Sequence, residues 1–216
     1  MAEVKFCGLT RAVDAQAGGV LGAAYLGVVF ADGPRRLDAA AARVVLDGAR
    51  GHGTARRVGV FGAQPVEEIA ADAAAASLDI VQLHGTSDAT LVDALRQRFD
   101  GAIWRVVRLP DLAVVAALRG AEDGVDAVLI DAHVPGALGG TGTAVDWERL
   151  ASALDSGGRP RRLVLAGGLR PENVERAIGL VAPDVVDVSS GVESTTGIKD
   201  HALMRAFAES AARGGR

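Results

Sequence analysis

A chain of 216 residues with 49% hydrophobic and 23% charged side chains can bury a full core without disulfides or structural metal. Its formal net charge of -4 argues against nucleic acid or an anionic membrane as partner, and a single cysteine, Cys7, excludes an intrachain disulfide and a cysteine-rich metal site. No apolar run has the length of a signal peptide or a bilayer span, so the chain reads as a cytoplasmic protein without membrane contact.

Short runs rich in Val, Ile and Leu alternate with alanine-rich segments of helical spacing. In chain order the first expected elements are strand Val4–Cys7, helix Arg11–Ala17, strand Tyr25–Phe30, helix Asp38–Ala49, strand Arg57–Phe61 and helix Val66–Ala76. Strand Ile80–His84, helix Ala89–Arg98, strand Ile103–Val107, helix Asp111–Leu118 and strand Ala127–Asp131 follow. The last are helix Trp147–Leu154, strand Leu163–Ala166, helix Pro171–Leu180, strand Val185–Val188 and a helix from Lys199 to Ala212. Asp38 stands as an N-cap, and Pro65 and Pro171 sit where a first-turn proline is tolerated. Eight strands alternating with eight helices, at about 27 residues per unit, predict an α/β protein: a single (β/α)8 TIM barrel forming one domain over residues 1–216. An open doubly wound sheet is the structural alternative. Chemistry-bearing residues behind strands of both halves favour the barrel.

Strand parity sharpens this. Lys5 and Cys7 share one face of the first strand, and Gln82 and His84 share one face of the fourth. Arg105, Asp131 and Asp187 likewise interrupt apolar strands. With apolar faces turned to the helices, the polar set is expected to point to the barrel axis. Buried charge is costly unless paired, so such an interior indicates a site.

A lone cysteine is ordinarily a small buried hydrophobe. Cys7, however, ends its strand just before Gly8, at the face where barrel enzymes carry their chemistry. There it can serve as a thiolate, and Lys5, about 6.6 Å lower on the same face, favours that form modestly. Asp131 closes the sixth strand ahead of a glycine-rich connection with Gly139-Gly140-Thr141-Gly142, which lacks the lysine of a P-loop. A long connection of this kind in a compact domain is usually functional. Gly167-Gly168 follows the seventh strand and Ser190-Gly191 the eighth, the two positions that form the usual phosphate site of this barrel. Gly33-Pro34-Arg35-Arg36 follows the second strand, where arginine can clamp a carboxylate. His84 has no second histidine or carboxylate at metal-ligand spacing.

The pieces K-F-C-G-L-T, G-V-V-F with G-P-R-R-L, V-G-V-F, V-Q-L-H-G and L-I-D-A stand in one order. P-G, G-G-T-G and V-D-W follow, then L-A-G-G-L-R-P-E-N-V, V-D-V-S-S-G-V-E and G-I-K-D. The ordered set resembles the phosphoribosylanthranilate isomerase family of tryptophan biosynthesis along nearly the whole chain. The resemblance implies a barrel without metal or organic cofactor. It also implies an Amadori rearrangement of N-(5-phosphoribosyl)anthranilate to 1-(2-carboxyphenylamino)-1-deoxyribulose 5-phosphate.

On that resemblance Cys7 matches the general base and Asp131 the general acid. Asp187 and His84 match the substrate site, and Gly167, Gly168, Ser190 and Gly191 match the phosphate cradle. Arg35 matches the arginine that contacts the anthranilate carboxylate; counting without a gap selects Arg36 instead, because the stretch from Phe30 to Arg35 is one residue short. The implied partner is a small-molecule substrate, with the protein a monomer or homodimer. An acid of raised pKa and a thiolate in positive potential are required, so opposite shifts are expected for Asp131 and Cys7.

Two other readings remain in view. A related or bifunctional sugar-phosphate isomerase of histidine biosynthesis would carry an aspartate at the first strand end and a second phosphate turn in the first half. Here the first strand ends in Cys7, and the third runs into V-F-G-A-Q without paired glycines. A non-catalytic barrel that binds a phosphorylated metabolite would keep the cradle and lose the acid and base, yet Cys7 and Asp131 are both present.

Overall fold

The computed structural model describes residues 1–85, 89–108, 123–131 and 147–215. Eight parallel strands close into a barrel in chain order: β1 (Glu3–Phe6), β2 (Tyr25–Val29), β3 (Arg56–Phe61), β4 (Ile80–Leu83), β5 (Ala102–Arg108), β6 (Ala127–Asp131), β7 (Leu163–Ala166) and β8 (Val185–Val188). Closure is made by β1 against β8, with Lys5 opposite Asp187 and Phe6 opposite Val188. The helices are α1 (Ala12–Val20), α2 (Ala39–Asp47), α3 (Val66–Ala75), α4 (Ala89–Arg96), α5 (Trp147–Ala153), α6 (Val174–Val181) and α7 (His201–Gly214). The helix expected at Asp111–Leu118 and the glycine-rich connection after Asp131 lie outside the described residues.

Alternating side chains build two concentric cores. The outer one packs Phe6, Leu26, Val28, Val81, Leu83, Ile103 and Val128 of the strands against helical residues such as Leu46, Ile69, Leu95 and Phe207. The inner one fills the barrel with Tyr25, Val58, Ile80, Trp104, Leu129 and Val164. Fully burying an aliphatic side chain of this size contributes about 1.5–3 kcal/mol, so a core poor in aromatics suffices.

Three local expectations needed revision. The helix placed at Pro171–Leu180 starts at Val174, because the Asn173 side chain accepts from the Arg170 N–H and ties residues 170–173 into a turn. The final helix starts at His201, not Lys199: Asp200 caps it, and Lys199 joins an antiparallel hairpin of β9 (Glu193–Thr195) and β10 (Ile198–Lys199). That hairpin turns at Gly197, whose φ of +83° suits glycine. The third revision concerns Arg105. Trp104 lies in the inner core and Ile103 in the outer one, so Arg105 faces outward with Ile103 and is not part of the axial polar set. Phasing β5 on its tryptophan instead sends Arg108 inward.

Candidate active site

A cavity of about 660 Å³ opens at the C-terminal ends of the strands. Its wall contains all of the expected site residues: Cys7 after β1, Arg35 after β2, His84 after β4 and Asp131 ending β6. Gly167 and Gly168 after β7, Asp187 in β8, and Ser190 and Gly191 after it complete the set. Residues up to 184 positions apart thus meet because parallel strands all end at one rim.

Beneath the rim Lys5 is fully buried and donates from Nζ to Asp187 Oδ2 at 2.8 Å and to Gln82 Oε1 at 2.9 Å. Desolvation pulls its ammonium pKa down, but the neighbouring Asp187 carboxylate and Cys7 hold it above the ordinary value. Asp187 Oδ1 is buried without a hydrogen-bond partner. A carboxylate oxygen left this way on a cavity wall is an acceptor for a ligand hydroxyl or amine.

Cys7 packs over Gly27 of β2. A Cβ at that glycine would lie 3.0 Å from Cys7 Sγ and 3.3 Å from Lys5 Cε, so the thiol occupies the space a side chain would need. The expectation of a depressed Cys7 pKa is not met. Burial pushes the thiol up and outweighs the Lys5 ammonium, whose charge Asp187 already answers.

His84 donates its backbone N–H to Phe61 O at 2.8 Å. Its Nδ1 is buried without a partner. Burial, aided by the Arg108 charge, holds its imidazole below the ordinary value, so it is neutral near pH 7. Arg108 itself lines the cavity beside Asp131, its register partner across β5 and β6. Sequence reasoning missed it, although the parity of β5 carried the signal.

The two late turns meet. Gly167 and Gly168 have φ of +93° and +68°, and their N–H groups donate to nothing among the described residues. Space beyond Gly168 is open, and a Cβ on Gly191 would lie 1.9 Å from Leu169 O. The turns therefore press together only because Gly191 lacks a side chain. Free backbone donors concentrated in this way suit a phosphate.

The two arginines after β2 lie in different surroundings. Arg36 is exposed and pairs with Asp32 at 2.9 Å. Arg35 lines the cavity, its stem crossing Gly8, where a Cβ would meet Arg35 Cδ at 2.6 Å. Its Nε and Nη2 hold Glu193 Oε1 at 2.8 Å and Oε2 at 2.5 Å. Glu193 also accepts from Lys199 Nζ at 2.9 Å, and Lys199 donates further to Ser189 O at 3.0 Å. Although burial opposes ionisation, the two cations lower the Glu193 pKa to about 2. No group of three or more potential metal ligands occurs among the described residues.

Comparison with known proteins points one way. Residues 4–210 match the family described as N-(5'phosphoribosyl)anthranilate (PRA) isomerase. A Roseiflexus castenholzii protein named N-(5'-phosphoribosyl)anthranilate isomerase is 42% identical over 209 residues, covering 94% of this chain and 95% of its own. The solved phosphoribosyl anthranilate isomerase of Thermotoga maritima superimposes with a TM-score of 0.85 at 35% identity, covering 98% and 99% of the two chains. A further solved isomerase of the same kind was captured with reduced 1-(o-carboxyphenylamino)-1-deoxyribulose 5-phosphate. It superimposes with a TM-score of 0.82 at 33% identity, again covering 98% and 99%.

Proposed function

The chain belongs to the N-(5'-phosphoribosyl)anthranilate isomerase family, and from this premise we propose how its residues divide the work. The reaction is the Amadori rearrangement of N-(5-phosphoribosyl)anthranilate to 1-(2-carboxyphenylamino)-1-deoxyribulose 5-phosphate, a step of tryptophan biosynthesis. The biosynthetic family supports a cytoplasmic enzyme acting on a small molecule; among the described residues no helix is long and apolar enough to cross a membrane. We treat residues 1–216 as one domain. The described cavity wall comes from a single chain, so a monomer carries that whole wall and a homodimer carries it twice.

In this reading the phosphate sits on the N–H groups of Gly167, Gly168, Ser190 and Gly191, and the anthranilate carboxylate on Arg35. Asp131 delivers a proton to the furanose oxygen as the C1–O bond breaks. The iminium that results acidifies the C2 proton, which Cys7 Sγ removes to give an enolamine; tautomerisation yields the aminoketose. Asp187 Oδ1 accepts from a substrate hydroxyl or amine, and neutral His84 offers Nδ1 without adding charge. Because burial raises the thiol pKa, the thiolate is a minor form near neutrality, and activity rises with pH as Cys7 ionises.

The observation that carries this reading is the meeting of Cys7, Asp131, Arg35, Asp187 and the two glycine turns on one cavity. Against the histidine-pathway alternative stands the turn after β3. It has one glycine, Gly62, whose N–H is already taken by Gln64 Oε1 at 2.6 Å. The test is turnover of phosphoribosylanthranilate by the purified protein, followed as loss of substrate fluorescence. Conversion is expected; a protein that binds the substrate and leaves it unchanged would support the non-catalytic alternative instead.

A further inference from the structure

The buried charges of the site fall into two sets with different balance. Lys5 and Asp187 form a pair of one cation and one anion. Arg35, Glu193 and Lys199 form a triad of two cations and one anion, joined by three contacts of 2.5–2.9 Å. The Glu193 side chain is 5% exposed and that of Lys199 0%, whereas Arg35 is 23% exposed and lines the cavity, so the surplus is presented on the cavity side. A buried set one negative charge short is costly unless an anion completes it.

The triad also leaves one guanidinium nitrogen available. Arg35 uses Nε and Nη2 on Glu193, and among the described residues Nη1 makes no hydrogen bond. Glu193 therefore grips Arg35 side-on, and the stem lies against Gly8, in the space a side chain there would need. A Cβ on Gly8 would lie 2.6 Å from Arg35 Cδ and 2.7 Å from Ser189 Oγ. Without Lys199 the carboxylate of Glu193 would belong to Arg35 alone, and the arginine would present no net charge to a ligand.

We propose that Lys199 is a positioning residue for substrate recognition: it shares Glu193, so that Arg35 is held in place yet keeps a positive charge for the anthranilate carboxylate. Lys199 does not touch the substrate. It acts through Glu193, and through Ser189 O it ties the carboxylate end of the site to the turn that carries Ser190 and Gly191. The proposal rests on the assignment of Arg35 given above.

The test compares two substrates, phosphoribosylanthranilate and the carboxyl-free compound made from aniline and ribose 5-phosphate. For Lys199→Met, KM for the anthranilate substrate is expected to rise about tenfold, the scale of one lost charge interaction, with kcat within about twofold. KM for the aniline compound is expected to stay put. Adding Glu193→Gln to Lys199→Met restores one net positive charge and keeps an acceptor for Arg35, so KM for the anthranilate substrate is expected to fall back toward wild type. A purely structural role would not produce that recovery.

Equal losses on both substrates, no recovery in the double variant, or a fall in kcat without a rise in KM would overturn the proposal. The last result would assign the triad to the Cys7 thiol. Arg35→Met separates the underlying assignment. If it leaves the ratio of KM values for the two substrates unchanged, the reading of Arg35 fails; if it shifts that ratio and Lys199→Met does not, only the present inference fails. Thermal unfolding of each variant checks that the barrel is intact.

Discussion

The two ends of the barrel treat their acidic side chains differently. At the N-terminal end the aspartate just before each of β4, β6 and β8 closes on the start of the preceding strand. Asp79, Asp126 and Asp184 each accept, at 2.7 Å, from the N–H of Arg57, Ile103 and Leu163 respectively. Glu3 is met there by the Tyr25 hydroxyl and by Arg162. At the C-terminal end Asp187 Oδ1 and His84 Nδ1 are buried without partners, and the triad around Glu193 is one charge short. A polar group closed on its own backbone stabilises the fold; one left open costs stability and is retained where a ligand completes it. The contrast separates residues that hold the barrel together from residues that use it.

Substitution at the two ends should therefore have opposite signatures. Largest is the loss from Cys7→Ala or Asp131→Ala: kcat is expected to drop about 10²–10⁴-fold, the usual worth of a positioned acid or base, with little change in thermal midpoint. Rescue of a tryptophan auxotroph by both variants as well as by wild type would remove the acid–base roles. Next comes Gly191→Ala. Its Cβ would stand 1.9 Å from Leu169 O, so the two glycine turns must separate, and KM is expected to rise more than about tenfold if they hold the phosphate as proposed. Inorganic phosphate should lose potency as a competitive inhibitor in parallel.

At the other end, Asp184→Ala is expected to cost about 1 kcal/mol in urea unfolding while leaving kcat/KM at the wild-type value. A large activity loss there would erase the distinction between the ends. The last effect is a pH signature. Glu193 has its pKa depressed from 4.5 to about 2, so its contribution to stability is complete above pH 4.5 and is lost as the pH falls toward 2. Urea midpoints measured across that window should fall less steeply for Glu193→Gln than for wild type.

Much of this was legible in the residues. The alternation of aliphatic runs with alanine-rich segments locates the eight strands, because period two and period 3.6 leave different traces. Cys7, Asp131, Asp187 and the Gly167-Gly168 and Ser190-Gly191 turns stand at strand ends, where residue type and position agree. Less legible were contacts that depend on phase or on distant chain. Arg105 reads as an interior charge because it interrupts an apolar strand; only the burial of Trp104 in the inner core fixes which of Arg105 and Arg108 turns inward. The β9–β10 hairpin is too short to leave a periodic trace, so Lys199 read as helix. Gly27 matters through Cys7, 20 positions earlier, and no local pattern announces that. The direction of the Cys7 shift is hidden from the sequence because burial of the thiol, the larger cause, and the partner of Lys5, 182 positions away, both arise only in the closed barrel.

That separation has a consequence for the order of events as the chain is made. Lys5 leaves the ribosome 182 residues ahead of the carboxylate that neutralises it. Until β8 arrives, β1 has only one neighbour, and its lysine cannot be buried without an unanswered charge. The ammonium thus keeps β1 soluble while the barrel is incomplete and favours closure only against the one strand that carries Asp187. Closure of the barrel and formation of the buried Lys5–Asp187 pair beneath the site thus coincide late in synthesis.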